Sequence, residues 1–381
     1  MKLSVFFLLL LCINLPTKAA ETESAKLWLE RFSQSLRQLN FTASFVVVKN
    51  NQAEPYHWFH GIADNGQELE VITRLNGSRH DVLRQGEIVS YIEPDQDPYS
   101  VISDDIRGPI PSVLRGDISE IAESYRFISV GRSRILGRVA QLVRIVAKDK
   151  YRYSYWLWLD QNTGLLLKMA VVTRQGKLLE QVQVTHLDVT DKLSENLVQL
   201  QLAELPKAIN LSDQQQSKQL AWQVDWLPRG FNAVKSNQHN LNSYNRGDDR
   251  MVDFMLFSDG LVEISVYVNP SNEKFRAPEY ASDGATLVFN AISQGIEVGV
   301  VGDIPLVTAQ KIAESLAPAK AAINKDQQQK TVPVSNNFES EQHTPNNSTT
   351  NQQAQTSEQI HSNEAESFIE DDHLISEYSN D

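Results

Sequence analysis

The sequence predicts an α+β protein: a curled antiparallel sheet with a helix on its apolar face, followed by a second, smaller α+β domain. Three observations predict this fold. Apolar residues alternate with period two through residues 127–187, they recur at helical spacing in residues 24–40, and strand and helix patterns resume after residue 219. A chain of 381 residues has room for two domains of ordinary size and a further segment.

The first residues have the pattern of an export signal. A short positive region, Met1-Lys2, precedes an apolar run over residues 3–15 and the small-residue ending Thr17-Lys18-Ala19. The run is too short to span a bilayer comfortably, so residues 1–19 are predicted to be removed after export. Cys12 is the only cysteine and lies inside this segment, so the mature chain is expected to contain no thiol and no disulfide.

After the signal, residues 24–40 place apolar side chains at the spacing of an amphipathic helix. Short β-branched and aromatic segments bounded by Gly and Asn then predict a meander of strands over residues 41–49, 56–63, 68–75, 81–82 and 87–92. Four prolines in residues 93–125 favour a loop with short helical pieces laid over the sheet.

The strongest strand signal is in residues 127–187, where four or five strands are predicted with one apolar and one polar face. Alternation cannot distinguish a filled core from an open cavity, so two interpretations remain. The pattern alone favours cross-strand packing in a core. The other interpretation is a pocket for an acyl chain or an apolar peptide, and its candidate residues are Tyr153, Tyr155, Trp156, Leu157 and Trp158.

Residues 206–218 are polar and predict a linker between a domain of residues 20–205 and a domain of residues 219–318. In the second domain, alternating residues lead into the turn Leu227–Phe231, and Ser258-Asp259-Gly260 predicts a hairpin. Further strands are expected over residues 286–292 and 297–301. A helix is expected over residues 304–316, with Pro305 in its first turn and Pro318 as its stop.

The charge is concentrated at the far end of the chain. Residues 320–381 hold three Lys and eleven Asp or Glu, a net charge of −8, which leaves −5 of the total −13 for the rest. Residues 319–381 are rich in Gln, Asn, Ser and Thr and are predicted to be a disordered acidic tail. The cluster Phe368–Asp372 with Leu374-Ile375 is either a short docking motif or, as the pattern favours, plain solvated tail.

The sequence offers little for catalysis or nucleic-acid binding. No nucleophile elbow, phosphate loop or metal-protease helix occurs, so no enzyme, no cofactor and no catalytic residue is expected. His57 and His60 are three apart on a predicted strand and point to opposite faces, which argues against a metal site. The nearly balanced folded part lacks the basic face that a nucleic-acid partner requires.

Four segments carry a family resemblance: SVGRSRILGR, RIVAKDKYRYSYWLWLDQNTGLLLKM, WLPRGF and LFSDGLVEISVYVNP, in this order. They resemble the RseB (MucB) family, periplasmic regulators of the sigma-E envelope-stress response. The likeness covers residues 1–318, and the tail lies outside the family pattern. The resemblance implies a larger domain similar to the periplasmic lipoprotein carriers, a half-open antiparallel barrel plugged by helices, with a smaller domain beside it.

The resemblance also implies a function. Family members bind the periplasmic part of the anti-sigma factor RseA and shield it from the site-1 protease. Lipopolysaccharide or a related lipid is thought to bind the regulator and so release the anti-sigma factor. With this resemblance, a sensor pocket replaces a packed core as the preferred interpretation of the apolar face of residues 127–187. The alternative is a periplasmic carrier of lipid or lipoprotein. Whether the chain forms a homo-oligomer is left open.

The candidate partner surface is the cleft between the domains and two of its turns. Its residues are Trp226, Pro228, Phe231, Ser258, Asp259 and Leu261. Gly230 and Gly260 are what tight turns require anyway, so a structural role for these turns stands beside the binding role.

Overall fold

The structure is a computed structural model and describes residues 17–94, 96–103, 106, 114, 118–209, 220–241 and 250–319. The described residues up to Asn240 and from Arg250 to Ala319 belong to one compact unit. Most of the predicted signal (residues 1–16), most of the predicted linker (residues 210–218) and the predicted tail after Ala319 lie outside the described residues.

The N-terminal part is built on one sheet of twelve strands, in the order β12-β6-β5-β4-β3-β2-β1-β11-β10-β9-β8-β7. Its strands are β1 Asn40–Lys49, β2 Gln52–Ile62, β3 Glu68–Arg74, β4 Asp81–Gln85, β5 Ile88–Ile92, β6 Tyr99–Ile102, β7 Tyr125–Ile135, β8 Arg138–Ala147, β9 Ser154–Asp160, β10 Leu166–Val172, β11 Leu178–Thr190 and β12 Ala208–Ile209. Neighbours are antiparallel except β12, which runs parallel to β6. The predicted antiparallel sheet is therefore confirmed, with one parallel pair added inside the predicted linker.

Helix α1, Thr17–Gln38, packs on the apolar face of this sheet. Ala25, Leu29, Phe32 and Leu36 recur three and four residues apart, and each is at most 2% exposed. They share one core cluster with inward residues of the sheet, among them Phe45, Val143, Tyr155, Leu157 and Met169. The predicted helix on the apolar face is confirmed.

The opposite face of the sheet, here called the outward face, is partly covered by helix α2, Glu195–Leu202. Leu197 and Leu200 pack there against Leu69 and Val71 of β3. Sequence analysis had assigned no helix to these residues, because eight residues give too short a periodic pattern to stand out. A short 3₁₀ helix also precedes β7, at Ile118–Glu123.

The C-terminal part has a six-stranded sheet in the order β14-β15-β16-β19-β18-β17 and a separate pair, β13 with β20. The strands are β13 Trp222–Val224, β14 Asn232–Leu241, β15 Arg250–Ser258, β16 Glu263–Pro270, β17 Phe275–Asp283, β18 Thr286–Ser293, β19 Ile296–Gly302 and β20 Leu316–Pro318, with helix α3 at Leu306–Glu314. The hairpin at Ser258-Asp259-Gly260 joins β15 to β16, as predicted.

Two details of this part differ from the sequence prediction. Helix α3 ends at Glu314, before the predicted end, because Leu316–Pro318 pairs as β20 with Trp222–Val224. Pro305 is the N-cap of the helix and not its first helical residue. Among the described residues, no helix has both the length and the apolar character needed to cross a bilayer.

Candidate functional site at the joint between the two sheets

The two sheets meet at a buried ion pair. Arg152, in the turn between β8 and β9, binds Asp259, in the turn between β15 and β16, and both side chains are fully buried. Asp259 Oδ1 accepts the backbone N–H groups of Leu261 at 3.0 Å and Val262 at 2.9 Å, which fixes the carboxylate in its turn. The carboxylate thereby holds its own hairpin in shape and faces the guanidinium of the other sheet.

Other groups complete the surroundings of Arg152. Its Nη2 donates to the carbonyl of Arg229 at 2.6 Å and lies 3.1 Å from Asp149 Oδ2. The guanidinium carbon lies 5.4 Å from the ring centre of Tyr125 and 5.1 Å from that of Phe231, both cation–π distances. Because hydrogen bonds and aromatic rings surround the charge, its burial is compensated.

Tyrosines on both sides of Arg152 extend the contact to helix α3. The backbone carbonyl of Tyr151 accepts the Thr308 hydroxyl at 2.8 Å, and the Tyr151 ring packs edge-on against Trp226 at 4.9 Å. Lys311 Nζ lies 4.0 Å from the centre of the Trp226 ring. Tyr153 donates its hydroxyl to the carbonyl of Ile304 at 3.2 Å. Three consecutive residues, 151–153, therefore bind the C-terminal part.

A second contact joins the β1–β2 turn to the β17–β18 turn. Lys49 forms an ion pair with Asp283, and Asn50 Nδ2 donates to Asp283 Oδ1 at 2.9 Å. Gly284 has a φ of +62°, and a Cβ there would lie 2.9 Å from Glu180 Oε2. The turn approaches the N-terminal sheet this closely because residue 284 has no side chain.

Burial at these contacts shifts several pKa values. It raises the pKa of Tyr125 well above its usual value of 10.0, and the charge of Asp259 adds to the shift. Burial also raises the pKa of Glu180 above 4.5, with Asp303 as the next cause. Tyr125 therefore remains a neutral donor, and its hydroxyl lies 3.1 Å from Asp259 Oδ2.

The six predicted partner residues all lie at or beside this joint. Pro228, Phe231, Asp259 and Leu261 are buried, whereas Trp226 and Ser258 are half-buried. Ser258 serves its own turn, since its Oγ accepts the N–H of Gly260 at 3.0 Å. The structure thus brings the six together and uses Trp226, Phe231 and Asp259 to join the two sheets, and a role in partner binding stays a prediction.

The five predicted pocket residues are divided between three environments. Tyr155 and Leu157 are buried in the core, and Tyr153 belongs to the joint. Trp156 and Trp158 lie half-buried on the outward face, beneath Arg144 and Lys168. The lipid-binding role of the five also stays a prediction.

An apolar cavity lies elsewhere, under helix α1, and none of the five residues lines it. Its lining is Leu36, Phe41, Ala43, Phe45, Trp58, Leu165, Leu166, Val182, Val184 and Leu187. The space open to the centre of a water molecule is about 20 Å³. That holds roughly one water molecule and no acyl chain.

The two histidines of residues 57–60 do lie on opposite faces. His60 is buried and stacked on Phe41, whereas His57 is half-buried beside Phe59. Among the described residues, His60, Glu68 and Glu70 are close enough to share a metal ion. Arg84 Nη1 already lies 2.9 Å from Glu68 Oε1 and 3.5 Å from Glu70 Oε2, so a protein cation fills that role.

Sequence reasoning missed two residues at the centre of the joint, Arg152 and Tyr125. Arg152 lies in KYRYSYW and resembles a solvated charge between aromatic residues. Its partner is 107 residues away, so no local pattern links the two. The one available signal was the Asp of the Ser-Asp-Gly turn, which was assigned to the partner surface.

Comparison with known proteins places the whole arrangement in a family. The family model of the MucB/RseB N-terminal domain matches residues 24–209, and that of the MucB/RseB C-terminal domain matches residues 216–317. The chain belongs to the MucB/RseB family. The family assignment made from the four sequence segments is thereby confirmed.

Curated MucB/RseB relatives match along most of their length. The sigma-E factor regulatory protein RseB of Salmonella typhimurium is 32% identical over 293 residues, which cover 76% of this chain and 89% of the relative. The sigma factor AlgU regulatory protein MucB of Pseudomonas aeruginosa is 30% identical over 322 residues, 83% of this chain and 98% of the relative. Both relatives are named as regulatory proteins.

Solved MucB structures share the fold. The Pseudomonas aeruginosa MucA/MucB complex matches with a TM-score of 0.64 and 29% identity, covering 78% of this chain and 100% of that chain. A structure of MucB in complex with MucA(peri) matches with a TM-score of 0.61 and 27% identity, over the same shares. The described arrangement is therefore similar to MucB chains solved together with MucA.

Proposed function

We propose that this chain is a periplasmic negative regulator of a sigma-E-type envelope-stress response. It binds the periplasmic part of an anti-sigma factor of the RseA or MucA kind and protects it from site-1 proteolysis. The observation that carries the proposal is the likeness to MucB solved in complex with MucA, which extends over all of that chain. The predicted export signal agrees with this location.

The joint supplies an element that such a regulator can use. A partner or a lipid changes the protein only through its different affinity for two arrangements of the chain. The joint holds one arrangement through the Arg152–Asp259 pair, and the predicted partner residues lie around that pair. Binding at these residues is therefore coupled to how the two sheets are held together.

Release by lipopolysaccharide or another lipid belongs to the same proposal. The cavity under α1 is too small for an acyl chain as it stands, so an acyl chain can enter only when α1 moves off the sheet. The lining is apolar throughout, from Leu36 on the helix to Val184 on β11, and suits such a ligand once it is open.

A purified cleavage assay tests the proposal. The periplasmic part of the anti-sigma factor is incubated with its site-1 protease, with and without the mature chain, and the rate of cleavage is measured. We expect the chain to slow cleavage and added lipopolysaccharide to restore it. Equal rates with and without the chain would contradict the proposed regulatory function. If the chain slows cleavage but added lipopolysaccharide does not restore it, only the proposed release by lipid is contradicted.

The carrier alternative is separated by a second assay on the same preparation. Labelled lipoprotein is offered on donor membranes, and its transfer to acceptor membranes is followed with and without the chain. Transfer without any protection of the anti-sigma factor would favour the carrier. Protection without transfer is the result that we expect.

A further inference from the structure

The outward face of β8, β9 and β10 carries two tryptophans and two cations in one cluster, here called the Trp–cation face: Arg144, Trp156, Trp158 and Lys168. The strand register places Arg144 opposite Trp156 and Lys168 opposite Trp158. The Arg144 guanidinium carbon is 4.7 Å from the centre of the Trp156 ring, and Lys168 Nζ is 5.0 Å from that of Trp158. The two rings are 6.4 Å apart.

This region is positively charged in an otherwise acidic chain. Strands β7 to β10 hold six cations on their two faces: Arg126, Arg132, Arg134, Arg138, Arg144 and Lys168. Their only acid is Asp160, whose side chain is fully buried and paired with Arg138. The Trp–cation face therefore has no carboxylate of these strands to neutralise it, while the whole chain has a net charge of −13.

Two polar atoms of the Trp–cation face also lack hydrogen-bond partners. Arg144 Nε and Trp156 Nε1 are both buried, and neither makes a hydrogen bond within the described part of the chain. Elsewhere on the same face, over β3, helix α2 supplies the cover with Leu197 and Leu200. A buried donor without an acceptor is costly, so an acceptor reaching these atoms would be stabilising.

The chain contains a segment of complementary chemistry outside the described residues. Residues 364–381 carry seven acids, Glu364, Glu366, Glu370, Asp371, Asp372, Glu377 and Asp381, and no Lys or Arg. Two apolar pairs, Phe368-Ile369 and Leu374-Ile375, flank the three central acids. The segment lies beyond residue 317, where the match to the family model ends.

The segment is joined to the C-terminal part by a long stretch of chain. Residues 320–367 separate Ala319 from the segment, and a random coil of that length spans about 40 Å on average. A tethered segment also meets its site at a high effective concentration, so a weak contact suffices to hold it.

We propose that residues 366–377 of this chain bind its own Trp–cation face. The carboxylates of Glu370, Asp371 and Asp372 pair with Arg144 and Lys168, and the flanking apolar residues pack on the two tryptophan rings. The contact is intramolecular and is weakened by salt, because it depends on partly exposed charges. It does not depend on the anti-sigma factor, so it can fail or hold independently of the proposed function.

Zero-length carbodiimide cross-linking of the full mature chain tests the contact, because it joins an amine only to a carboxylate that touches it. Cross-linked peptides are identified and quantified by mass spectrometry. Lys177, in the exposed turn between β10 and β11, serves as an internal reference. We expect cross-links from Lys168 to residues 366–377 to exceed those from Lys177 by about fivefold or more, and to fall with added salt.

Two variants and an isotope mixture complete the test. Arg144→Gln should lower the Lys168 cross-link, whereas Arg132→Gln should not, since Arg132 is aligned with Gln141 and Leu159 on the opposite face. Equal yields from Lys168 and Lys177, or equal effects of the two variants, would overturn the proposal. Cross-links that join light and heavy chains in a mixture would also overturn it, in favour of contact between two copies.

Discussion

Asp259 neutralises a guanidinium that has no access to water. Changing Asp259→Asn removes the charge but keeps the shape, and Arg152 is then buried with only Asp149 as an acidic neighbour. We expect the free energy of unfolding to fall by about 3 kcal/mol, the lower end for a broken buried pair. Urea denaturation of the variant and the parent measures this change.

A matched control lies beside it. Glu123 pairs with Arg229 at 2.6 Å, but their side chains are 54% and 80% exposed. Exposed pairs contribute little, so Glu123→Gln should change the free energy of unfolding by less than about 1 kcal/mol. Equal losses in the two variants would show that the burial of the Arg152–Asp259 pair has no energetic effect.

Gly230 is the second residue on which the joint depends. Its φ is +90°, and a Cβ would come 2.2 Å from Ser124 Oγ, which now donates to the carbonyl of Arg229 at 3.1 Å. In Gly230→Ala the hydroxyl must turn away and lose that bond, in addition to the backbone strain. We expect a loss of thermal stability greater than the strain alone produces, measured by calorimetry.

Two comparisons separate the causes. Gly137→Ala has a similar φ of +72° and open space around it, so it should cost only the backbone strain, about 1–2 kcal/mol. Adding Ser124→Ala to Gly230→Ala should reduce the cost of the glycine change to that same level. If Ser124→Ala does not reduce the stability cost of Gly230→Ala, the contact with Ser124 is not the cause of that cost.

Glu180 makes stability depend on pH. Its pKa is raised above 4.5, first by burial and then by Asp303, so the folded chain disfavours its charged form. Its contribution is fully present below pH 4.5 and is lost as the pH rises through the raised pKa. The variant Glu180→Gln should therefore gain free energy of unfolding relative to the parent as the pH rises from 4.5 through the raised pKa of Glu180. A difference that stays constant across that range in urea denaturation would contradict this prediction.

At the scale of the element, helix α1 decides whether the cavity can open. Ser35 Oγ donates to the carbonyl of Thr163 at 2.6 Å, and a Cβ at Gly164 would lie 2.9 Å from Ser35 Oγ. A disulfide between Ser35→Cys and Gly164→Cys would therefore link α1 to the turn between β9 and β10, at the cost of the backbone strain that a side chain meets at the φ of +80° of residue 164. The oxidised variant should still protect the anti-sigma factor but no longer respond to lipid in the cleavage assay.

The same protein provides the control, because its predicted mature form has no other cysteine. Reduction frees the helix, and the response to lipid should return. A full response in the oxidised state would mean that lipid acts without moving α1 and would shift attention away from the cavity.

Some elements were predictable because their signal is local. Strands β8 and β9 alternate buried and half-buried side chains over most of their length, and the Ser-Asp-Gly turn marks its own hairpin. Strand β17 was missed, since it is an exposed edge strand and shows no alternation that a core would impose. The end of α3 was misplaced because pairing of Leu316 with Val224, distant in sequence, overrides the proline signal.

The candidate site was predicted only in outline. The turns around Phe231 and Asp259 were selected from the family resemblance, and they do lie together in the structure. Their partner Arg152 was not selected, because an arginine among tyrosines carries no sign that it is buried. Strand alternation alone puts Trp156 and Trp158 on one face, but the sequence could not tell that this face points outward.

For the whole molecule, the joint predicts how the two sheets unfold. Because the contact is buried and charged, the parent should unfold in one transition, seen alike by tryptophan fluorescence and by circular dichroism. In Asp259→Asn the transitions that the two probes report should no longer coincide, because the two sheets are then joined less strongly and can unfold separately. Coincident transitions in the variant would mean that the remaining contacts, such as Lys49 with Asp283, are sufficient.

The parallel pairing of β12 with β6 has a mechanical consequence. It fixes Ile209 at one edge of the twelve-stranded sheet, whereas the joint binds the C-terminal part near the other edge, at β7 and the β8–β9 turn. The chain from Ile209 to Leu220 can span no more than about 40 Å. The C-terminal part and the chain that leads to it thus connect the two edges of the sheet. The two edges can separate only until this connecting chain is fully extended. Any further opening must separate β12 from β6 or pull on Arg152 and Asp259, so strain in the twelve-stranded sheet is transmitted to the joint.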